Sequence, residues 1–215
     1  MSEQNDFKRL SEYPLEALRE AASSVTLETR SPGSVTSPAV ERRNVPARRI
    51  KDTFATFDLR RNPGMKAAVE ACMEVVAGDH WCALLAGNTG TGKTHLAVAA
   101  MHAYGWYHSY FWKVPDFLDW IRRNAFGEEG IEVNQLLHGY MGGDMLLVLD
   151  DLGAENQTDW AGEQLYRVLD RRYDDELPTI VTSNRGFQHL DPRITSRFSS
   201  GLVVCEGVDV RRALG

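Results

Sequence analysis

Trp81-Cys82-Ala83-Leu84-Leu85-Ala86, followed without a break by Gly87-Asn88-Thr89-Gly90-Thr91-Gly92-Lys93-Thr94, is the stretch that decides the fold. The first six residues are nearly all apolar, as in a strand covered on both faces of a parallel sheet. The next eight satisfy G-x-x-x-x-G-K-[ST], and residues 94–104 continue with helical periodicity. Strand, glycine-rich turn and helix form a phosphate cradle. Backbone N–H groups of the curled loop converge on an anion, and the helix adds its positive end. Gly87, Asn88, Thr89, Gly90, Thr91 and Gly92 are the expected cradle. Lys93 is expected to bridge the β- and γ-phosphates of a nucleoside triphosphate, and the Thr94 hydroxyl to ligate Mg²⁺.

Outward from this point, apolar strands alternate with helical patterns, the mark of an α/β fold with a mainly parallel sheet. Helices are expected over 65–76, 94–104, 115–124 and 160–173. Further strands are expected over 110–114, 145–149, 179–182 and 202–205, with a loop at 125–130 and a short helix to about 137. The first 50 residues differ in composition. They hold eight Lys/Arg and seven Asp/Glu, a net +1, which leaves −7 for the rest of a chain whose net charge is −6. Within them, 14–22 has a short helical pattern and 29–38 (TRSPGSVTSP) reads as a linker. The division expected is a tail over 1–40, available for partner binding, and one domain over 41–215.

Composition excludes several classes. With 215 residues the chain has room for one ordinary domain and a tail, and 43% apolar with 25% charged residues is a globular mixture. The acidic balance means that nucleic acid must meet a local basic patch. Cys72, Cys82 and Cys205 are odd in number and far apart, which supports neither a disulfide framework nor a zinc site. Six histidines share no metal-ligand spacing. No apolar run approaches a membrane span and no signal peptide is legible, so a cytoplasmic protein is expected, bacterial or phage-encoded.

Hydrolysis needs more than a cradle. Asp150 and Asp151 follow the run Leu146-Leu147-Val148-Leu149, at the strand end where open α/β sheets place their ligands. Asp150 is expected in the magnesium shell. Asp151 is expected to orient the attacking water, where many ATPases have Glu, and its shorter side chain implies slow turnover. Glu155 is a spare carboxylate for water or a neighbour. Asn184, ending Thr182-Ser183-Asn184, is placed to hold the water or touch the γ-phosphate. Arg193 and Arg197 are i, i+4 on a helix begun near Pro192, with no acid between them. That spacing points to an anion outside the chain's own site, the γ-phosphate of an adjacent subunit.

In this order the four elements resemble those of AAA+ ATPases, and among them the DnaC/DnaI-type helicase loaders and the related IstB ATPase of transposition. GNTGTGKTHL (87–96), LVLDDLGAE (147–155), TSN (182–184) and RITSRF (193–198) are similar to Walker A, Walker B, sensor 1 and the arginine-finger box. VPARR (45–49) with TFATFD (53–58) looks like the family's lead-in segment. The resemblance spans about 45–204 and implies ATP with Mg²⁺, self-association bridged by ATP, binding of single-stranded DNA and delivery of a hexameric replicative helicase. It makes Arg197 the finger and Arg193 its companion. The expected core has a parallel sheet between helices and no C-terminal lid domain. Two alternatives stay open: a helper of a transposase on duplex DNA, and an ATP-binding switch with little hydrolysis. A small-molecule kinase gives TSN and RITSRF no role. Six aromatics in 104–112 read mainly as core packing, and Arg122 and Arg123 as candidate DNA-phosphate contacts.

Overall fold

The computed structural model describes residues 44–125, 145–207 and 209. The tail and linker over 1–40, all but the first residue of the 125–130 loop, and the short helix after it lie outside the described residues. No described helix is long and apolar enough to cross a membrane.

Five strands, β1 (Cys82–Gly87), β2 (Ser109–Lys113), β3 (Leu146–Asp150), β4 (Thr179–Ser183) and β5 (Leu202–Cys205), pair in parallel in the order β2-β3-β4-β1-β5. The helices are α1 (Lys66–Ala77), α2 (Lys93–Tyr104), α3 (Val114–Ala125), α4 (Asp159–Asp174) and α5 (Pro192–Arg197). Each expected strand and helix among the described residues is present, with ends moved by a residue or two. Val114, expected in a strand, opens α3. Pro115 then sits in the first helical turn, where no N–H is required.

Strand alternation explains the all-apolar runs. Ala83, Leu85, Leu146, Val148 and Ile180 face a layer containing α1 and α2. Leu84, Leu147, Leu149 and Val181 face α3, α4 and α5 on the other side. With both faces covered, β1 and β3 are apolar up to the rim, and the polar residues of β4, Thr179, Thr182 and Ser183, are each hydrogen-bonded.

β4 lies between β1 and β3 although it follows both in sequence. The register pairs Ala86 with Ser183 and Leu149 with Val181, so the C-terminal ends of β1, β3 and β4 meet at one rim. Ligand crevices of open parallel sheets form where the strand order reverses in this way.

The opposite rim is tied by Arg172 of α4. It is 4% exposed, and its Nε donates to Thr179 Oγ1 at 2.7 Å while its terminal nitrogen donates to the Met145 and Pro178 carbonyls at 2.7 and 2.8 Å. Burial pulls its pKa down to about 9, so it is still charged at neutral pH. Removing the charge alone would help, but the Met145 carbonyl and the buried Thr179 hydroxyl would lose their donor, and the Pro178 carbonyl would keep only the Leu147 N–H. Arg172→Met, which keeps most of the volume, is therefore expected to destabilise the chain by about 3 kcal/mol. Thermal unfolding should show this as a drop in Tm of about 6–12 °C for a domain of this size.

Candidate functional site

β1 delivers the chain to the rim at Gly87, and α2 begins five residues later. The α2 N-cap is Gly92, with φ 106° and no side-chain cap, so the first N–H groups of the helix face the loop. A Cβ at Gly92 would lie 2.5 Å from the Phe57 ring. Backbone conformation and close approach both require glycine there. Lys93 is 5% exposed and folds over the loop, its Nζ donating to the carbonyls of Gly87 at 2.8 Å and Asn88 at 2.5 Å. A cavity of about 480 Å³ lies beside it, lined by residues 89–94, Lys113, Asp150, Asp151, Asn184 and part of the lead-in segment.

Asp150, the last residue of β3, is 2% exposed. Its Oδ1 accepts from Thr94 Oγ1 at 2.8 Å and from Thr182 Oγ1 at 2.7 Å. Burial pushes its carboxyl up from the usual carboxylate range. The Thr182 bond pulls it back down, the nearby Asp151 charge pushes it up, and the Thr94 bond and Arg49 charge lower it. A buried carboxylate held by hydroxyls, with a threonine oxygen beside it, suits a hard divalent cation completed by phosphate and water oxygens. Thr94 and Asp150 are the residues that would hold Mg²⁺. Among the described residues no cluster of three His, Cys, Asp or Glu forms a separate metal site.

Asp151 turns the chain at φ 63° and lets its carboxylate face the cavity. That left-handed conformation is one Asp adopts more readily than most residues. Asn184, just beyond β4, donates from Nδ2 to Asp151 Oδ1 at 2.5 Å. The residues expected to handle the water are thus brought together from adjacent strands. Thr182 was not among the expected site residues. Its hydroxyl also accepts from the Asp151 N–H at 3.1 Å, so one side chain orients both acids. In the sequence it stands in TSN at the end of β4, where Thr179 and Ser183 are polar too and nothing singles it out. Glu155 is occupied locally, its Oε2 accepting from the Gly153 N–H at 2.8 Å.

The lead-in segment is clipped to α2 by two histidines one face apart. His95 Nε2 meets the Thr53 carbonyl at 2.9 Å, and His102 Nε2 meets that of Ile50. A carbonyl only accepts, so both rings carry the proton on Nε2. Asn62 adds a bond to the loop itself, Nδ2 to the Thr91 carbonyl at 2.9 Å. In the sequence only their seven-residue spacing on one helix links these two histidines.

Arg193 and Arg197 do share one face of α5, as expected, and neither lines the cavity. Although no acid lies between them in sequence, both have acidic partners in their own chain. Arg193 is bidentate to Asp191, at 3.2 Å from Nε and 2.8 Å from its terminal nitrogen, and lies 3.7 Å from Glu163. Arg197 pairs with Asp170. Two of these acids come from α4, far upstream, where local spacing cannot register them. The aromatics of 104–112 divide: Phe111 is buried, Trp112 packs with Phe117 and Trp120, and Tyr107 is 75% exposed. Arg122 pairs with Asp119 and lies over the Trp160 ring. Cys72, Cys82 and Cys205 are free and buried, and burial pushes the Cys205 thiol up to about 11.

The fold and site have known counterparts. A family model described as IstB-like ATP binding protein matches residues 44–197. The chain is 29% identical over 153 residues to a putative ATP-binding protein in an insertion sequence of Mycobacterium tuberculosis, covering 62% of this chain and 53% of that one. It is 32% identical over 103 residues to the replicative helicase loader DnaI of Bacillus subtilis, covering 46% and 32%. The alignments thus reach about half and a third of these relatives' lengths. Among solved structures, the DnaC helicase loader matches with TM-score 0.58 and 25% identity, covering 75% of this chain and 100% of that one. The replication initiator DnaA bound to AMPPCP and single-stranded DNA matches with TM-score 0.62 and 25% identity, covering 73% and 50%.

Because the folded-state pKa of Asp150 is raised, the nucleotide-free chain is favoured at low pH and loses that contribution as pH rises through the folded pKa. Asp150→Asn keeps an acceptor for both threonines and removes the buried charge. It should raise the Tm of the nucleotide-free protein at pH 7–8 by about 2–4 °C, the effect of roughly 1 kcal/mol in a domain of this size. Calorimetry at neutral pH and again near pH 4 should show the difference shrinking on acidification.

Proposed function

The chain belongs to the IstB-like ATP-binding protein family, and on that basis we propose that it is an AAA+ ATPase. In this reading it assembles with itself, binds single-stranded DNA and loads a hexameric replicative helicase. The observation that carries the hydrolytic part is the meeting of Thr94, Asp150, Asp151, Thr182 and Asn184 at one rim beside the glycine loop. A binding loop alone would not require two acids of different burial, each hydrogen-bonded from β4 or the residue after it.

The division of labour follows from the geometry. Lys93 Nζ, next to the cavity, moves from the loop carbonyls onto the β- and γ-phosphate oxygens. Thr94 and Asp150 would hold Mg²⁺, whose charge would offset that developing on the phosphates. Asp151, partly open to the cavity, accepts a proton from the attacking water, and Asn184 fixes the orientation of both. Arg197 lies away from the cavity of its own chain, so it serves a neighbour's triphosphate. The relatives named as helicase loaders support the helicase part of the proposal, and the similar DnaA structure bound to single-stranded DNA supports the DNA part. A transposase-helper reading draws on the insertion-sequence relative. Copurification with a replicative helicase or with a transposase separates the two.

Lys93→Ala should abolish ATP binding in a fluorescent-nucleotide titration. Arg197→Ala should leave that binding intact and lower steady-state turnover by on the order of 10³-fold, only at concentrations where the chain self-associates. Undiminished ATPase in the Lys93 variant would refute the site.

A further inference from the structure

Six side chains outside the cavity form a network around Arg197, the residue assigned to a neighbour's triphosphate. On α4, Glu163, Tyr166, Asp170 and Tyr173 recur at spacings of three and four, one stripe of the helix. Against it lie Arg193 and Arg197, each guanidinium 4.6 Å from the centre of the Tyr166 ring. Arg197 is the more constrained of the two, its side chain 24% exposed against 50% for Arg193. Its Nε donates to Asp170, one terminal nitrogen donates to Tyr166 Oη at 2.5 Å, and the other donates to the Arg193 carbonyl at 3.0 Å.

A guanidinium has five N–H donors, so three are engaged here, and one remains on each terminal nitrogen. Those two form a fork of the kind that grips a phosphate oxygen pair. Arg197 therefore has no need to surrender a bond before it meets an anion. Arg193, by contrast, spends both Nε and a terminal nitrogen on the Asp191 carboxylate. The surrounding charge matters as well. Glu163 is also paired with Arg167, so three acids face three arginines, and an approaching triphosphate is attracted by the unused donors of Arg197 and not by a net positive patch.

We infer that Tyr166 and Asp170 are positioning residues that hold Arg197 pre-oriented toward the triphosphate of an adjacent subunit. The inference rests on the reading of Arg197 as a residue acting in trans. Its physical content is preorganisation: a long, flexible side chain is fixed before assembly, so a small misplacement does not erode its action in the transition state.

The test uses the full chain. Asp170→Ala and Tyr166→Phe are compared with the parent for ATP affinity below the self-association range and for turnover within it. The Phe variant keeps the ring beneath both arginines and removes only the hydroxyl, so it guards against a folding defect in the Ala variant. Unchanged ATP affinity with turnover lowered about 10- to 100-fold is expected for Asp170→Ala, and a smaller loss for Tyr166→Phe. On an Arg197→Ala background neither change should lower turnover further. Equal losses on both backgrounds would mark the pair as merely structural, and turnover unchanged or raised in Asp170→Ala would overturn the positioning role. If Arg197→Ala alone has no effect on turnover in the self-associated state, the trans reading itself fails and the positioning role falls with it, an outcome distinct from the others.

Discussion

The Asp150 carboxylate, buried at the end of β3 and accepting from Thr94 and Thr182, is the interaction on which the site is built. It joins the start of α2, the end of β3 and the end of β4 in one hydrogen-bonded set. A charge in that position is costly in the nucleotide-free chain, as its upward-shifted pKa records. Proteins accept such a cost where the charge has a later use, and a divalent cation between carboxylate, threonine and phosphate is such a use. The fold makes the arrangement possible because β4 is inserted between β1 and β3. In sequence order β2 would lie between β1 and β3, and β4 with Thr182 and Asn184 would stand beyond the two acids instead of between them and the glycine loop.

The same logic of distant residues acting on a short loop governs the lead-in segment. Phe57 closes over Gly92, Asn62 holds the Thr91 carbonyl, and His95 and His102 fix the backbone at Thr53 and Ile50. The cradle is therefore buttressed from the N-terminal side, and the cavity has a wall that residues 87–94 alone would not supply. On the far side of the sheet, α4 plays a corresponding part. It carries Arg172, which binds the strand starts, and the stripe that holds Arg197. One helix thus supports both the sheet and the residue assigned to a neighbour.

Family membership and local geometry make separate contributions to this account. Membership of the IstB-like family establishes an ATP-binding chain. The geometry adds that the two acids differ in kind, Asp150 sealed and Asp151 partly open, with Asn184 touching only the second. A pair of adjacent carboxylates with unequal environments is how one site keeps a metal ligand and a proton acceptor distinct at the same pH.

By itself the sequence determined what depends on neighbours along the chain. The strands over 81–86 and 145–149 were legible because burial on both faces leaves only apolar residues, and the cradle at 87–94 because every residue of it is local. Asp150, Asp151 and Asn184 were legible as strand-end polar residues for the same reason. The tertiary structure decided what depends on strands and helices meeting. It made Thr182 the residue that orients both acids, turned His95 and His102 into clips, and gave Arg193 and Arg197 the partners Glu163, Tyr166 and Asp170. Those contacts join residues separated by 27 or more positions, and a pattern read along one helix or strand cannot register a side chain that arrives from another.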